Sequence, residues 1–497
     1  MATEHFDVLI AGAGLSGIGV ACHLAQKCPE KKVAILKARS SVGGTWDLFR
    51  YPGIRSDSDM FTLGYRFKPW TSDKGIADGG DIRDYIRTAA SENGIDQKIR
   101  FNHKVIQADW NSKESLWTVT ADVDGDVVTY TAKYLMGCTG YYDYDEGFTP
   151  EFEGREDFAG QIIHPQFWPE DLDYKDKKVV VIGSGATAVT LIPSMSRDVE
   201  KITMLQRSPT YVVPVPSKDK LAIRLRKYLP ESAVYTIIRS RNILLTMAFY
   251  NYCRRFPQKA REFIFNFNRK ILPKDFDMSH FTPKYNPWDE RLCAVPGGDL
   301  YKAIHKGKAD VVTDQIERFT DKGILLKSGN TLDADIIVTA TGLKVVVLGK
   351  IRVTLDGQPF DVTDKMSYRG VMFEGIPNAA MVFGYTNSSW TLKADLVCEY
   401  VCRLLNHMEK TGAQTVIPRD KDNCITDENF LGLQSGYIQR ANDRLPRQGS
   451  KQPWMVVQNY MVDMPKLRFG AIDDGVLEFD NYQPVKKKGL VASLLGS

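Results

Sequence analysis

The stretch FDVLIAGAGLSGIGVACHLAQ, Phe6 to Gln26, decides the fold of this chain. An apolar strand runs into the pattern Gly12-x-Gly14-x-x-Gly17, an apolar helix follows, and KKVAIL then supplies a second strand. In this pattern the first glycine permits a tight turn, the second lets the backbone approach a pyrophosphate, and the third lets the helix pack against the strand. The free N–H groups and the dipole at the helix N-terminus favour the negative charge of the phosphate. The stretch therefore predicts a dinucleotide-binding βαβ unit.

The same pattern begins again near residue 178. KKVVVIGSGATAVTLIPSM predicts a strand, a turn with Gly183-x-Gly185-x-x-Ala188 and a helix, and KITMLQRS predicts the next strand. Arg207-Ser208 ends that strand, where an acid would accept a hydrogen bond from a ribose 2′-hydroxyl. Arginine can instead clamp a 2′-phosphate with its planar guanidinium. The second unit therefore favours NADPH over NADH, and the alternative is an ordinary surface arginine.

Two dinucleotide units without redox cysteines predict FAD in one unit and a nicotinamide in the other. The fold class is therefore α/β, with two dinucleotide-binding (Rossmann-like) domains and a helical insertion. We assign residues 1–142 and 343–497 to the FAD-binding domain, 150–211 and 291–342 to the NADPH-binding domain, and 212–290 to the insertion. The insertion is basic and aromatic, and it is expected either to pack against the rest of the protein or to rest on a membrane surface.

Composition narrows the class of protein. The 497 residues suffice for two or three domains, and a net charge of +4 gives no argument for a nucleic-acid partner. The eight cysteines contain no CxxC pair, so neither redox-disulfide chemistry nor a metal site is expected. No signal peptide precedes the first strand, and the apolar runs are far shorter than the ~20 residues of a membrane span, which predicts a cytoplasmic protein. Lys486-Lys487-Lys488 predicts a solvated tail, and the oligomeric state is left open.

Two longer motifs narrow the family. GGTWDLFRYPGIRSD covers residues 43–57, and FAGQIIHPQFWPE covers residues 158–170. Together they resemble the two fingerprints of the type I Baeyer–Villiger monooxygenases, and the likeness is greatest with the ethionamide-activating subgroup. The matching positions are Gly44, Trp46, Tyr51-Pro52-Gly53 and Asp57 in the first motif, and Phe158, Gly160, His164, Trp168 and Pro169 in the second. The resemblance extends over essentially the whole chain, through YNPWDERLC and GYTNSSWTLKADL.

The resemblance implies an FAD- and NADPH-dependent monooxygenase. NADPH reduces the flavin, O2 adds, and the peroxyflavin inserts oxygen beside a ketone carbonyl to give an ester or lactone, or oxidises a thioether. The family's catalytic cation falls on Arg291 in NPWDERLC, and Asp57 matches the aspartate that orients it. His164 falls on the family's interdomain linker. With no partner carboxylate nearby in sequence and with flanking prolines, its expected role is that of a stiff hinge and not of an acid or base.

Residue-by-residue matching gives the expected cofactor contacts. Those for FAD are Gly12, Gly14, Ser16, Gly17, Lys37, Gly44, Thr45, Trp46, Asp47, Leu48, Asp57 and Val105. Those for NADPH are Arg55, Ser56, Gly183, Ser184, Gly185, Ala186, Thr187, Ala188, Val189, Thr190, Arg207, Ser208 and Trp454. For Trp454 the alternative is a core position. The expected substrate is a small lipophilic ketone or thioether, because the insertion is rich in apolar and aromatic residues.

Two residues depart from the family pattern. Lys37 stands where the family has a glutamate that accepts from the FAD ribose, and a lysine can only donate. Glu290 stands where many relatives have a lysine beside the catalytic arginine, which weakens the preference for NADPH. Two rival functions stay open. One is an N- or S-oxygenating flavin monooxygenase, whose linker motif usually lacks the Trp168-Pro169 ending; the other is a flavin-binding regulatory protein without turnover, which only Lys37 favours.

Overall fold

The computed structural model describes residues 3–432 and 435–480 of the chain. The predicted tail with Lys486-Lys487-Lys488 lies outside the described residues. The described residues form two separate large sheets, each with parallel strands at its centre, as the two glycine units predict. The fold is therefore α/β.

The first glycine unit lies at the centre of a nine-stranded sheet. Val8, Leu9 and Ile10 are completely buried, because helices or loops cover both faces of the strand that carries them. In spatial order the strands are Gln358–Pro359, Arg352–Leu355, Lys104–Asn111, Leu116–Val123, Asp126–Gly137, Glu4–Ala11, Val33–Leu36 and Ile99–Arg100, and Ala379–Met381 also pairs with Asp126–Gly137. Three strands of the C-terminal part, Arg352–Leu355, Gln358–Pro359 and Ala379–Met381, thus return to the first sheet.

A hairpin turns at Asp124-Gly125, between the antiparallel strands Leu116–Val123 and Asp126–Gly137. Both residues have positive φ, 54° and 96°, as a tight two-residue turn between antiparallel strands requires. The helices around this sheet are Leu15–Lys27, Thr45–Leu48, Met60–Leu63, Gly79–Glu92, Trp390–Thr411, Gly436–Gln439 and Tyr460–Phe469. The remaining short strands of this half are Ser367–Tyr368, Met372–Phe373, Val416–Pro418, Ile425–Asn429, Arg447–Gly449 and Leu477–Phe479.

The second glycine unit forms a five-stranded parallel sheet. Its strands in spatial order are Ala309–Thr313, Lys201–Gln206, Lys178–Ile182, Ile336–Thr339 and Gln161–Ile163, and its helices are Ala186–Met195 and Asp299–His305. The apolar segment GILL, residues 323–326, lies outside this sheet. It is Gly323–Leu326, the middle strand of an antiparallel sheet with Ile316–Thr320 and Thr331–Asp333.

Two antiparallel strands link the two sheets. The chain leaves the first sheet through Tyr142–Gly147 and returns through Leu343–Val345, and these strands pair with each other. A second short pair, Val212–Val215 with Cys293–Pro296, lies at the base of the insertion. The segment that leaves the first domain and the segment that returns to it therefore lie side by side, and so do the two ends of the insertion.

The insertion is helical, as its sequence predicts, with helices Lys220–Leu225, Glu231–Arg255 and Pro257–Ile271. One face of the long helix packs against the first domain: the Tyr235 hydroxyl donates to the Tyr65 carbonyl (2.9 Å), and Arg239 donates to the carbonyls of Phe61 and Gly64 (2.7 Å each). This face of the insertion therefore packs against the rest of the protein, which is one of the two expected alternatives. Among the described residues, no helix combines the length and apolar character needed to cross a membrane.

Candidate active site

The first glycine turn fits a pyrophosphate closely. A Cβ on Gly12 (φ 110°) would overlap the Cys138 carbonyl oxygen, and one on Gly17 would overlap the Gly12 carbonyl oxygen, so only glycine fits either position. Gly14 caps the helix Leu15–Lys27 without any side-chain hydrogen bond, which leaves the first helical N–H groups free to bind phosphate. The backbone of Gly44 lies against the same turn, with its Cα 3.3 Å from a Cβ built on Gly14. The residues present fit the FAD pyrophosphate.

Lys37, at the end of the second strand, is only 4% exposed. Its Nζ lies 5.7 Å from the centre of the Tyr144 ring. Burial and the neighbouring Arg39 lower the pKa of Lys37 to about 8, against a smaller opposite effect of Asp47. At the position predicted to meet the adenosine ribose, this chain therefore has a buried amine, whereas the family has a glutamate that accepts hydrogen bonds.

The fingerprint residues Thr45 to Leu48 surround this site. Asp47 is buried, and its carboxylate accepts hydrogen bonds from Arg39 (2.7 Å), Ser41 (2.9 Å) and Arg50 (3.1 Å). The carboxylate oxygens are therefore already bonded to protein groups. The Thr45 hydroxyl lies 3.5 Å from the Tyr144 hydroxyl. Trp46 packs against the core of the first domain and Leu48 against that of the second. Any contact of Asp47 with a flavin would therefore come from its backbone.

Other predicted flavin contacts lie nearby. Ser16 is buried, and its hydroxyl oxygen accepts from the indole N–H of Trp390 (2.8 Å), a partner that the sequence analysis missed. Val105 is half-buried and is the second residue of the strand Lys104–Asn111. His103, just before this strand, donates its backbone N–H to the Lys37 carbonyl (2.9 Å). This hydrogen bond, and not the strand order, brings the start of the strand with Val105 toward Lys37.

The second glycine turn is more open than the first. Gly185 caps the helix Ala186–Met195 without a side-chain hydrogen bond, and a Cβ built there has no neighbour within 4 Å. Ala186 is exposed, whereas Ala188, Val189 and Thr190 are buried behind the turn, and the Thr187 side chain hydrogen-bonds Tyr51. The Ser184 hydroxyl lies 2.8 Å from that of Thr210. Free N–H groups at an accessible helix N-terminus fit a second dinucleotide.

Arg207 and Ser208 are exposed at the end of the strand Lys201–Gln206. Burial raises the pKa of the Glu290 carboxyl, and the charge of Arg207 lowers it, so the two side chains lie within electrostatic range. A third charge, Arg440, lies with its guanidinium 3.6 Å from the centre of the Phe148 ring and also interacts with Arg207. Two arginines and one carboxylate therefore surround the position where a 2′-phosphate is expected, and Arg440 was not predicted.

Arg55 and Ser56 connect the first fingerprint to the second domain. Arg55 forms an ion pair with Asp299, the first residue of the helix Asp299–His305. The Ser56 hydroxyl is buried and accepts from the N–H of Ser58 (2.9 Å). A contact of either residue with NADPH stays a prediction.

Arg291 lies within a group of aromatic residues. Its Nε–H donates to the Thr386 carbonyl (2.9 Å). Tyr141, Tyr142 and Tyr437 surround the guanidinium, and the Tyr141 ring stacks on Trp390 with centres 5.4 Å apart. Burial alone would lower the pKa of Arg291, but these tyrosines and Asp57 outweigh it and hold the pKa above its usual value. The arrangement provides a fixed, permanently charged cation with aromatic walls.

Asp57 faces the same site. Its side chain is open to the site, but the protein around it desolvates the carboxyl and raises its pKa, while Arg291 and then Arg55 oppose the rise. In the described part of the chain no ion pair joins Asp57 to Arg291, so the two groups interact through space without direct contact. The sequence analysis did not predict the three tyrosines around Arg291. Two of them, Tyr141 and Tyr142, could have been suspected from the segment YYDYDEG, which begins four residues after the strand Asp126–Gly137.

His164 lies against both linker strands. Its Nδ1 accepts from the N–H of Gln166 (3.2 Å), so its Nε2–H donates to the Gly342 carbonyl (3.3 Å). A Cβ on Gly147 would overlap the imidazole ring. Burial lowers the pKa of His164, and the carbonyls of Gly342 and Phe148 partly compensate. A neutral imidazole wedged at the linker suits a hinge.

Trp454 is 1% exposed in the core of the first domain, and its ring packs edge-on against Tyr368 at 5.9 Å. This is the core alternative that the sequence left open. In this position the indole has no accessible surface for a nicotinamide.

Comparison with known proteins gives the family. Residues 76–347 match the profile described as flavin-binding monooxygenase-like, and residues 10–70 match an NAD(P)-binding Rossmann-like domain. The chain is similar to the FAD-containing monooxygenase EthA of Mycolicibacterium smegmatis, with 53% identity over 97% of this chain and 98% of that protein. It is equally similar to EthA of Mycobacterium tuberculosis, with 53% identity over 96% of this chain and 98% of that protein.

Solved structures share the fold. A steroid monooxygenase bound to NADP superposes with a TM-score of 0.77 at 22% identity, covering 96% of this chain and 99% of that one. Cyclohexanone monooxygenase superposes with a TM-score of 0.75 at 21% identity, covering 96% and 100%. The expected cofactor pair of FAD and NADP agrees with both sets of relatives. The chain belongs to the flavin-binding monooxygenase family, and it is a flavoprotein monooxygenase.

Proposed function

We propose that this protein uses NADPH and O2 to insert one oxygen atom beside a ketone carbonyl, giving an ester or lactone, NADP and water. Oxidation of a thioether to its sulfoxide is the second expected activity. The observation that carries the proposal is Arg291, a half-buried cation held by the Thr386 carbonyl and faced by Asp57. Bound FAD supplies the hydride acceptor and the oxygen activation that side chains cannot provide.

Arg291 suits the electrostatic task of this reaction. Addition to a ketone carbonyl develops negative charge on the carbonyl oxygen, and a fixed donor aimed at that charge lowers the barrier. Because Nε of Arg291 is already bonded to Thr386, the side chain loses little freedom when substrate binds. The half-buried tyrosines on its other sides reduce the contact of the guanidinium with water, which strengthens the interaction.

Asp57 is proposed as a positioning residue. A carboxylate within electrostatic range of Arg291 favours one orientation of the guanidinium without forming an ion pair that would neutralise it. Arg55 shares this carboxylate's field and is itself paired with Asp299 of the second domain. The orientation of Arg291 is thereby coupled to the contact between the two domains.

Arg207 is proposed as the residue that selects NADPH. It is exposed beside an open helix N-terminus, as an exchangeable cofactor requires, and Arg440 adds a second positive charge. Glu290 opposes the charge of Arg207. We expect a preference for NADPH that is real but smaller than a lysine at position 290 would give.

A lipophilic ketone or thioether is the proposed substrate class. The aromatic walls around Arg291 favour an apolar substrate, and the names of two structural neighbours, a steroid and a cyclohexanone monooxygenase, support ketones. The relatives at 53% identity are described only as FAD-containing monooxygenases.

Product identification tests the proposal. Purified protein loaded with FAD is incubated with NADPH and O2 and offered, in parallel, a cyclic ketone, a linear ketone, an aryl ketone, a thioether and a tertiary amine. Mass spectrometry should find esters or lactones from at least one ketone, with sulfoxide from the thioether. Products from the thioether or amine alone would support the N- or S-oxygenating rival, and flavin that NADPH does not reduce would support the non-turnover rival.

A further inference from the structure

The carbonyl that holds Arg291 lies in a segment without regular secondary structure. Thr386 stands between the strand Ala379–Met381 and the helix Trp390–Thr411. Outside helices and sheets, no repeating pattern of backbone hydrogen bonds fixes the direction of a carbonyl, so other contacts of the segment have to do so. Each residue of the stretch 385–387 is fastened by a different contact, and we call this stretch the Thr386 segment.

The Tyr385 side chain fastens the first residue of the segment to the helix Tyr460–Phe469. Tyr385 is 2% exposed, and its hydroxyl donates to Oδ2 of Asp463 in that helix (2.8 Å). Lys393 donates from Nζ to the same oxygen (2.7 Å) and to the Arg369 carbonyl (3.0 Å). One carboxylate therefore binds both the Thr386 segment and the helix that follows it.

The charged groups of this contact are withdrawn from water. Lys393 is 3% exposed and Asp463 is 7% exposed. Burial lowers the pKa of Lys393, and Asp463 opposes this shift. Burial and then Asp463 raise the pKa of Tyr385, so its hydroxyl keeps the proton that it donates. Because hydrogen bonds are stronger at low dielectric and a buried charge without its partner is costly, these three side chains hold one another in a single arrangement.

Gln458 fastens the other two residues of the segment. Its side-chain oxygen Oε1 accepts from the N–H of Thr386 (2.9 Å), and its backbone carbonyl accepts from the side-chain amide of Asn387 (2.8 Å). The next residue, Asn459, caps the helix Tyr460–Phe469 by accepting from its first N–H groups. All three residues of the Thr386 segment are therefore bonded to residues 458–463.

This network of hydrogen bonds ends at the guanidinium of Arg291. Among the described residues, the Thr386 carbonyl is the only hydrogen-bond acceptor of Arg291. The direction of the guanidinium therefore depends on where this carbonyl points, and Gln458 binds the N–H of the same residue. A displacement of about 1 Å in a positioned group can lower a rate by about 10²-fold.

We propose that Gln458, Tyr385 and Asp463 are positioning residues for oxygen transfer, because they hold the Thr386 carbonyl in the direction that aims Arg291. The inference rests on the role proposed for Arg291 and extends it to residues 458–463. Neither glycine turn takes part in the network, so NADPH should still reduce the flavin when the network is broken. O2 then accepts the two electrons and two protons and leaves as hydrogen peroxide, instead of transferring an oxygen atom.

Product yield per NADPH tests the proposal. The full-length, FAD-loaded variants Tyr385→Phe and Gln458→Met are compared with the parent protein, with cyclohexanone, acetophenone and thioanisole as probes. Each variant should lower kcat for product by about three- to tenfold, the size expected for one lost hydrogen bond, with KM within about twofold. Hydrogen peroxide should replace the missing product, and stopped-flow reduction of the flavin by NADPH should be unchanged.

Two controls separate positioning from stability. Tyr368→Phe removes an equally buried hydroxyl that donates to Asp474 (2.6 Å) in the core of the first domain, and it should leave the yield per NADPH unchanged. Gln458→Glu keeps an acceptor for the Thr386 N–H and should retain most of the yield that Gln458→Met loses. A loss from Tyr368→Phe as large as that from Tyr385→Phe would overturn the proposal, since the effect would then follow stability alone.

A double variant shows whether the effect passes through Arg291. Arg291→Lys loses the Nε contact to Thr386, so adding Gln458→Met should lower its product formation by less than about twofold. Effects that multiply would mean that Gln458 acts by another route, and the inference would be wrong. Normal yields from Tyr385→Phe and Gln458→Met, beside a low yield from Arg291→Ala, would also reject it but leave the role of Arg291 standing. A normal yield from Arg291→Ala would contradict both.

Discussion

The two glycine turns have almost the same sequence pattern but differ in how tightly the protein encloses them. At the first turn the backbone of Gly44 lies against Gly14, Ser16 is buried under Trp390, and the charge at the following strand end, Lys37, is desolvated. At the second turn Gly183 is as close to the Ala340 carbonyl as Gly12 is to that of Cys138, but a Cβ built on Gly185 has no neighbour within 4 Å, and Arg207 and Ser208 are exposed. The same motif therefore forms an enclosed site in one domain and an open site in the other.

The difference matches the two tasks of a flavoprotein monooxygenase. A flavin that stays bound through many turnovers gains from a closed site, whereas a nicotinamide that is exchanged gains from an open one. Arg291 lies between the two, held by Thr386 from the C-terminal part of the chain. His164, which contacts Gly342 and Gly147 between the two sheets, stays the expected hinge. The following variants test this division.

Removing the cation between the two sites should have the largest effect. Arg291→Ala should lower ester formation by about 10²–10³-fold, because the developing oxyanion loses a fixed donor. Both cofactor sites stay intact, so NADPH should still bleach the flavin at close to the normal rate. Stopped-flow absorbance measures the reduction and mass spectrometry the ester. Arg291→Lys, which keeps a charge but loses the contact to Thr386, should fall between; normal ester yield from Arg291→Ala would remove the role we give to this arginine.

Closing the first turn further should release the flavin. A Cβ on Gly17 would overlap the Gly12 carbonyl oxygen, so Gly17→Ala forces the backbone to shift and should lower the free energy of unfolding by ~1–3 kcal/mol. The purified variant should hold little flavin by absorbance. Its matched control is Ala188→Gly at the equivalent position of the second turn, which should cost about 1 kcal/mol in helix propensity and keep the flavin. Full flavin content in Gly17→Ala would mean that the first turn is not the tighter one.

Much of this architecture follows from local sequence. Apolar runs before and after each glycine turn predict strands and helices by themselves, and Asp124-Gly125 predicts its hairpin, because these signals need only neighbouring residues. The strand Gly323–Leu326 shows the limit: its sequence predicts a strand correctly, but its place in an antiparallel sheet depends on partners on both sides.

The candidate site is less predictable than the fold. Arg291 and Asp57 could be selected only through a family resemblance, since neither stands in a locally distinctive pattern. The contacts of Tyr437 with Tyr141, of Trp390 with Ser16 and of Arg55 with Asp299 join segments hundreds of residues apart and leave no periodicity in the sequence. Lys37 was predicted as a departure, but its burial and its lowered pKa needed the packing around Tyr144.

The open second turn should select its cofactor by charge. Arg207→Ala should lower the ratio of kcat/KM for NADPH over NADH by about thirtyfold at most, since a hydrogen bond to a charged group is worth ~1.5–3 kcal/mol and exposure to solvent reduces it. Glu290→Gln should change the ratio in the opposite direction, because it removes the carboxylate near Arg207. Steady-state NADPH and NADH oxidation measure both variants. A ratio that neither substitution moves would locate the preference elsewhere.

The last prediction concerns Lys37 in the closed first site. Because burial and Arg39 lower its pKa to about 8, the protonated amine destabilises the folded protein below pH 8. The unfolded chain keeps a pKa near 10.4, so stability in the absence of FAD should rise as the pH increases from about 8 to 10.4 and the folded state releases its proton first. Lys37→Met should abolish this rise and stabilise the apoprotein at pH 7 by up to ~3 kcal/mol, measured by urea unfolding.

FAD affinity separates the two effects of Lys37. A glutamate there accepts from the ribose hydroxyls and faces the cation Arg39, whereas methionine only removes the buried charge. Against that gain, the lysine charge attracts the nearby pyrophosphate, so the net improvement is modest. We expect Lys37→Glu to bind FAD about tenfold more tightly than the parent, with each added hydrogen bond to the carboxylate worth ~1.5–3 kcal/mol before that loss, and Lys37→Met to bind little better. Fluorescence titration of FAD into apoprotein gives both constants. Equal affinities for the parent and Lys37→Glu would mean that the FAD ribose does not reach residue 37. The first site would then hold FAD without a hydrogen bond at this strand end.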